Sequence, residues 1–458
     1  MKGHLNRLFT LICASTVFVT LVLHSLCQAA TSIQYYGGEI IFYFEEDYPV
    51  GQFANGDFWV HNSGDAVVIS SIFPSSQNNG TGRIINGAMI NPPDSTFQGY
   101  DSSPRDMGYS SSLNIDPGNT GTSIVATPGS SIIKSISMES DAGRPIISDA
   151  AVLTVLATPP SSDSFRPPYS GSNKQIIATE ADLDYSQLGN FARLGNEPDI
   201  NAIANRYRRV WLEHCTEWVQ RDIHPQNNMP AYGRDIANSS GTGLLLLQLD
   251  YTNQEKRDLL IRLVQYGIDI YGIARDGGNW YNNGGHNLGR KLPLLLAAKV
   301  LNNSAMLAYA DKAKHFMFQD DQQHFYVSQT EVDITHSPNW DPDERATPIP
   351  YTSSDIGMPE WGIRHATKPE ADNKNWGATY RGVNGPAQTL HIFAAQLLGA
   401  KKLWNWPAVF DYADRYYAIE QPKGTFPNYF VELWENHRNN IRRNSSILFL
   451  LPKLPREN

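Results

Sequence analysis

The chain has 458 residues, with 37 basic and 46 acidic side chains and a formal net charge of −9. An acidic chain of this kind argues against nucleic acid as a partner, and it carries no polybasic patch for an anionic membrane surface. Its three cysteines, Cys13, Cys27 and Cys215, are too few for a disulfide-stapled secreted domain.

The first 30 residues read as a signal peptide. Lys2 and Arg7 precede an apolar run from Leu8 to Leu26, and the stretch closes on Cys27, Gln28, Ala29 and Ala30. Small residues after a short apolar run suit a signal peptidase, so the mature chain is expected to begin near Ala30 or Thr31, in a periplasmic or secreted location. Only Cys215 then remains, which leaves no thiolate metal site; neither a metal nor another cofactor is expected. No later apolar run approaches the length of a membrane span.

Residues 31–158 carry 13 acidic and 4 basic side chains and one of the ten tryptophans, Trp59. Short β-rich runs at 39–44, 58–61, 66–70, 131–136 and 151–156 are separated by Gly, Asn, Asp, Ser and Pro clusters. This pattern predicts an antiparallel β-sandwich. The Pro- and Ser-rich stretch around 159–168 then opens an interdomain linker, placed at 159–175.

From 176 to 458 the apolar period lengthens towards 3.6 residues. Helices are predicted over 199–220, from a capping box at Thr252–Glu255 through Ile268, and over 292–301, 304–316, 386–398 and 407–418. Their connections are long and rich in Gly, Asn, Trp and Tyr. Successive helices with elaborated loops predict an α/α toroid, built as an incomplete barrel. The expected architecture is therefore multidomain β + α.

Three loop-like segments hold the candidate chemistry. In the first, from Gly277 to Lys291, His286, Arg290 and Lys291 stand at the start of a helix. Cations there oppose the helix dipole unless an anion is present, either the carboxylate of a ligand or acids from the β half. The second runs from Met358 to Asn384 and carries Trp361, His365, Trp376, Tyr380 and Arg381. The third, 231–237, carries Tyr232, Arg234 and Asp235. This inventory suits β-elimination from a uronic acid: cations and amides stabilise the carboxylate as C5 loses its proton, and His or Tyr transfers protons.

The predicted proton-transfer residues are Tyr380, His286 and His365. The predicted substrate contacts are Arg234, Arg290, Arg381 and Asn283, with Trp280, Trp361 and Trp376 as stacking platforms for sugar rings. Cys215 reads as core. No Gly-x-Ser-x-Gly elbow marks a serine nucleophile, and the aspartates of 333–344 lack EF-hand spacing.

With its β half, its helical half and the motifs GGHNLGRKLP (284–293), MPEWGIRH (358–365) and WGATYRGVN (376–384), the chain resembles bacterial polysaccharide lyases of the alginate, glucuronan and chondroitin-lyase type. The likeness spans about Asp199 to Ala418. It implies an α/α toroid and an acidic polysaccharide as substrate, although several of those families carry their β module after the toroid. Two other readings stand beside it. One is a glycoside hydrolase on the same scaffold, using two of Asp235, Asp276 and Glu360. The other is a non-catalytic glycan-binding protein that binds through the β half.

Overall fold

The computed structural model describes residues 28–103, 108–140, 145–215, 219–282, 284–338, 350–362 and 379–447. Strands come first: β1 (Gln28–Tyr35), β2 (Ile40–Gln52), β3 (Phe58–His61), β4 (Val67–Phe73), β5 (Gln77–Asn78), β6 (Ile84–Ile85), β7 (Ala88–Ile90), β8 (Ile124–Ala126), β9 (Ser130–Ser137) and β10 (Ile147–Leu156), with one helical turn, α1 (Pro117–Thr120), among them. The helices follow: α2 (Ile200–Arg206), α3 (Gln220–Ile223), α4 (Arg234–Leu247), α5 (Asn253–Arg275), α6 (Lys291–Val300), α7 (Ser304–Ala310), α8 (Gln319–Gln322), α9 (Gln329–Thr335), α10 (Thr379–Leu397), α11 (Lys401–Trp404), α12 (Pro407–Glu420) and α13 (Asn428–Ile447). A two-stranded ribbon, β11 (His324–Tyr326) and β12 (Pro359–Trp361), lies within the helical half.

The large strands form one curled sheet in the order β7-β9-β10-β3-β2-β4-β8, with β1 also paired to β2. All its pairs are antiparallel except β10 with β3. The sheet separates two cores by simple alternation of side chains. Ala88, Ile132, Ala151, Leu153 and Val155 face an inner core with Ile40, Phe42, Val60 and Ile69. Their neighbours Met89, Ile133, Ala150 and Val152 face the helices. Burial on both faces explains why β10 reads as a near-continuous apolar run. The described strands thus establish a mixed β and α protein with a half-barrel sheet; the facing second sheet of a sandwich and a closed ring of helices are not established by them.

The middle of the stretch expected as a linker is buried between the strands and α5. Ser161 and Ser162 are exposed, but Ser164 to Ser170 are buried. Arg166 joins the halves, with Nε 2.6 Å from Asp57 Oδ2 on the sheet side and Nη2 2.6 Å from Asp269 Oδ2 in α5. The Lys174 ammonium closes the turn that follows by donating to the carbonyls of Pro168, Tyr169, Ser170 and Gly171, at 2.7–3.1 Å. Main chain also joins the halves, from Ile146 N to Asp222 O at 2.7 Å and from Gln226 N to Ile147 O at 3.0 Å.

Several helices follow the sequence closely. The Thr252–Glu255 capping box starts α5: Glu255 N donates to Thr252 Oγ1, and Thr252 N donates to the Glu255 carboxylate. Such a cap contributes about 1 kcal/mol. Three predictions need correction. The helix expected over 199–220 stops at Arg206, and Val210 to Cys215 run on without helical structure with all six residues buried. Distant partners take the backbone groups of this stretch: Glu213 N donates to Tyr169 Oη (2.6 Å), while Val210 O accepts from Asn228 Nδ2 (3.3 Å) and His214 O from Ser95 N (3.1 Å).

α10 begins at Thr379, seven residues before Pro386, which sits inside it. The carbonyl that Pro386 leaves without a helical donor belongs to Gly382, which is exposed to water. α7 ends at Ala310, short of the expected 316. α4 was not foreseen as a helix, because Ser239, Ser240, Gly241 and Gly243 lower its propensity. These small residues admit α10: a Cβ on Gly241 would lie 2.4 Å from Leu390 Cδ2 and 2.8 Å from His391 Cα.

Candidate functional site

The segment 279–290 has little regular structure, and side chains from α8 satisfy its backbone donors. Asn282 N donates to Gln322 Oε1 (3.0 Å), Asn287 N to Gln319 Oε1 (2.9 Å) and Gly289 N to Asp320 Oδ1 (3.2 Å). Gly289 has φ +95°, and a Cβ there would lie 2.4 Å from Ala237 N, so the chain passes directly over α4. One turn earlier, a Cβ on Gly233 would strike the main chain of His286. The His286 ring is buried, with its edge towards the Tyr281 ring at 6.1 Å.

The same loop meets the first turns of α10. Asn384 Nδ2 donates to Gly284 O at 3.3 Å, and a Cβ on Gly285 would fall 2.2 Å from Asn384 Nδ2. The residue before His286 is therefore packed against Asn384, about one helical turn beyond Tyr380 and Arg381. Arg381 is fully buried; its Nη2 donates to Glu360 Oε1 (2.9 Å) and Trp361 O (3.0 Å), which ties α10 to β12. Arg415 from α12 stands 3.5 Å from the other Glu360 oxygen.

Arg290 lies deeper. Its Nε is 3.0 Å from Glu213 Oε2, and its Nη1 donates to the carbonyls of His286 (2.9 Å) and Leu288 (2.8 Å). Glu213 also accepts from Tyr266 Oη (2.6 Å), Trp280 Nε1 (3.2 Å) and Gln220 Nε2, and lies 3.2 Å from His224 Nε2. Burial opposes ionisation of Glu213, but Arg290, His224 and Tyr266 together outweigh it and hold its carboxyl down at about 2. The neighbouring His214, between the hydroxyls of Tyr100 and Tyr169, is pushed down to about 3 by burial.

The anions needed at the start of α6 are thus the protein's own. Glu213 takes Arg290, and Asp321 takes Lys291 at 2.7 Å with Trp404 Nε1 donating to it at 2.6 Å. Both acids come from the helical half, not from the β half.

Sequence reasoning overlooked Glu213, Asp320, Asp321 and His391, because the charged or ring partner of each that joins it to the site lies at least 30 residues away. Ser240, His391 and Asp320 form a row: Ser240 Oγ lies 3.0 Å from His391 Nδ1, and His391 Nε2 lies 3.6 Å from Asp320 Oδ1. These are the residue types of a nucleophilic triad. All three are buried, Ser240 on α4, His391 on α10 and Asp320 on α8, and Ser240 also bonds Gly289 O (3.2 Å), so the row holds helices and loop together.

The remaining expectations sort by burial. Trp280 stacks on Phe318 at 5.2 Å, and Trp361 packs against His324 and Tyr412; both are fully buried core rings, not open platforms for sugars. Arg290 and Arg381, expected to meet a substrate carboxylate, are instead occupied by carboxylates of the protein. Arg234 is about one-third exposed, at the first turn of α4. Tyr380 is the second residue of α10, and its side chain lies outside the described set, as do Asn283, His365 and Trp376.

The hydrolase candidates do not pair among the described residues. Asp235 accepts from Ala231 N and Tyr232 N, Asp276 pairs with Arg275, and Glu360 pairs with Arg381 and Arg415. Cys215 is buried and free, and burial raises its thiol pKa. Among the described residues no helix is long and apolar enough to cross a membrane. Comparison with protein-family models, curated proteins and solved structures finds no match to the chain.

Proposed function

We propose that this protein is an exported polysaccharide lyase that cleaves a uronic-acid-containing polysaccharide, of alginate or glucuronan type, by β-elimination. Its architecture in this reading is an N-terminal β-sandwich followed by an incomplete α/α toroid, with the signal peptide removed. The observation that carries the reading is the contact between Gly284–Gly285 and Asn384. It supports the reading by bringing the loop that carries His286 against α10 one turn beyond Tyr380 and Arg381, about a hundred positions away in sequence.

In the reaction a base removes the C5 proton: His365, or His286 once the 284–290 loop exposes its buried ring. The freed electron pair forms the C4–C5 double bond, the bond from C4 to its glycosidic oxygen breaks, and Tyr380 protonates that oxygen. Arg234 is the described guanidinium that reaches solvent near this locus and is assigned to the uronate carboxylate. Arg290 and Arg381 act as positioning residues, through Glu213 and Glu360.

The test is incubation with a panel of uronate and neutral polysaccharides, read by near-ultraviolet absorbance and by reducing ends. A lyase raises both signals on a uronate polymer. Reducing ends without absorbance would establish hydrolysis instead, and neither signal with retained binding would establish a glycan-binding protein.

A further inference from the structure

On the outer side of α2 and α4 lies an open groove of about 520 Å³, lined by Asn205, Arg206, Arg209, Asn227, Asn238 and Ser239 among others. A smaller hollow shares Arg209 with it and adds Arg208 and Arg262. The two are joined through Arg262, whose Nη1 donates to Ala204 O (3.0 Å) and reaches Asn205 Oδ1 (3.4 Å). We propose that this groove binds a carboxylate-bearing polysaccharide chain, as a track that lies outside the His286 locus and runs up to it. The assignment of the ligand rests on the polyuronate reading above.

The argument starts from charge. Arg209 is paired with Asp149 and Glu39, and Arg262 lies 3.6 Å from Asp258. Among the described residues no carboxylate comes within 4.0 Å of Arg206 or Arg208. Arg206 reaches only Ser239 Oγ, at 3.4 Å, and Arg208 lies over the Tyr36 ring at 5.7 Å. Both are exposed. In a chain of net charge −9, two neighbouring guanidinia without acids form a local field of opposite sign, which steers an anion to this face. The helix dipole accounts for Arg206, in the last turn of α2, but Arg208 lies beyond that helix.

The rest of the lining fits a sugar chain. Asn205, Asn227, Asn238 and Ser239 offer uncharged donors and acceptors matched to hydroxyl groups. Asp235, the acid on the groove wall, accepts from Ala231 N and Tyr232 N, both at 2.9 Å, and the two acids of the smaller hollow, Asp57 and Asp269, are both paired with Arg166. The aromatic rings in the adjoining hollow, Tyr207 and Trp211, are buried and stacked on each other at 4.4 Å. No ring face is therefore presented for the base stacking that single-stranded nucleic acid requires. The groove reaches the first turn of α4, where Arg234 stands next to Asp235 and Gly233 abuts His286.

The test is calorimetric titration of the full chain with an alginate octasaccharide, a dextran octasaccharide and an eight-nucleotide single-stranded DNA, at low and high salt. The wild type is expected to bind the uronate chain, less tightly as salt rises, and not the dextran. Arg206→Gln with Arg208→Gln, both on exposed side chains, should weaken that binding about tenfold or more with unchanged thermal stability. Binding within twofold of wild type in the double variant would overturn the proposal, as would equal affinity for dextran, tighter binding of the DNA, or no uronate binding by the wild type. Turnover with a KM indifferent to both substitutions would remove the groove and leave the lyase. Arginine-dependent binding without unsaturated products would remove the lyase and leave the groove as a binding site.

Discussion

Arg290 Nε lies 3.0 Å from Glu213 Oε2, and neither side chain has any exposure to solvent. Removing one member leaves the other as an unpaired buried charge, which costs about 3–5 kcal/mol. Arg290→Met is therefore expected to lower the stability in urea by that amount, and to release the main chain of His286 and Leu288. The Glu213 carboxyl at about 2 lies below the range of an unfolded chain, near 4.3. An acid with a depressed folded pKa stabilises the fold above its unfolded value. Its contribution, on the order of 3 kcal/mol, is lost as pH falls from about 4.3 towards 2. In Glu213→Gln that part of the acid titration should flatten; an unchanged profile would show that Glu213 does not carry it.

Gly285→Ala tests the contact on which the proposed site depends. The new methyl would overlap the buried Asn384 side chain, whose nearest atoms would stand at 2.2–2.3 Å. Overpacking of this kind costs about 1–3 kcal/mol and pushes the two segments apart. Stability should fall by that amount, and any turnover should fall further than stability explains. Full activity in Gly285→Ala would show that the 284–286 loop and α10 need not touch.

Lys174→Met removes a terminal amine whose donors are shared among four carbonyls of the largely buried 168–171 turn. Orphaned buried acceptors cost about 1–3 kcal/mol per group. A loss of at least that size on chemical denaturation is expected, with faster proteolysis in residues 159–175.

Tyr380→Phe removes one hydroxyl and keeps the ring. If Tyr380 protonates the leaving oxygen, lyase turnover should drop by about 10²–10⁴ with folding intact. Turnover within threefold of wild type would take Tyr380 out of the mechanism and leave His286 and His365 as the proton-transfer candidates.

N-terminal sequencing of the protein exported by its native host should give a start near Ala30 or Thr31. In β1, Gln28, Ala29 and Ala30 pair with Val50, Pro49 and Tyr48. Cleavage there shortens the strand at its first register and leaves Ser32–Tyr35 paired. An intact Met1 would refute the signal-peptide reading.

The sequence by itself determined the elements whose cause is local. Short β-rich runs between turn residues placed β2, β3, β4, β9 and β10, and the Thr252–Glu255 box placed the start of α5, because local pattern and capping depend on residues a few positions apart. It also marked 284–290 and 376–384 as unusual, through glycines and cations that no ordinary helix or strand would choose.

What it left open was decided by tertiary packing. α4 is a helix although Gly241 and Gly243 disfavour one, because α10 must come close to it. Residues 210–215 leave the helix where their backbone bonds distant partners, Tyr169, Asn228 and Ser95. Whether Arg290, Lys291 and Arg381 meet a ligand or the protein's own acids depended on Glu213, Asp321 and Glu360. Those partners lie 77, 30 and 21 positions away. Coulomb attraction acts through space, and burial strengthens it by excluding water, so charge pairing across such separations is fixed only when the chain folds.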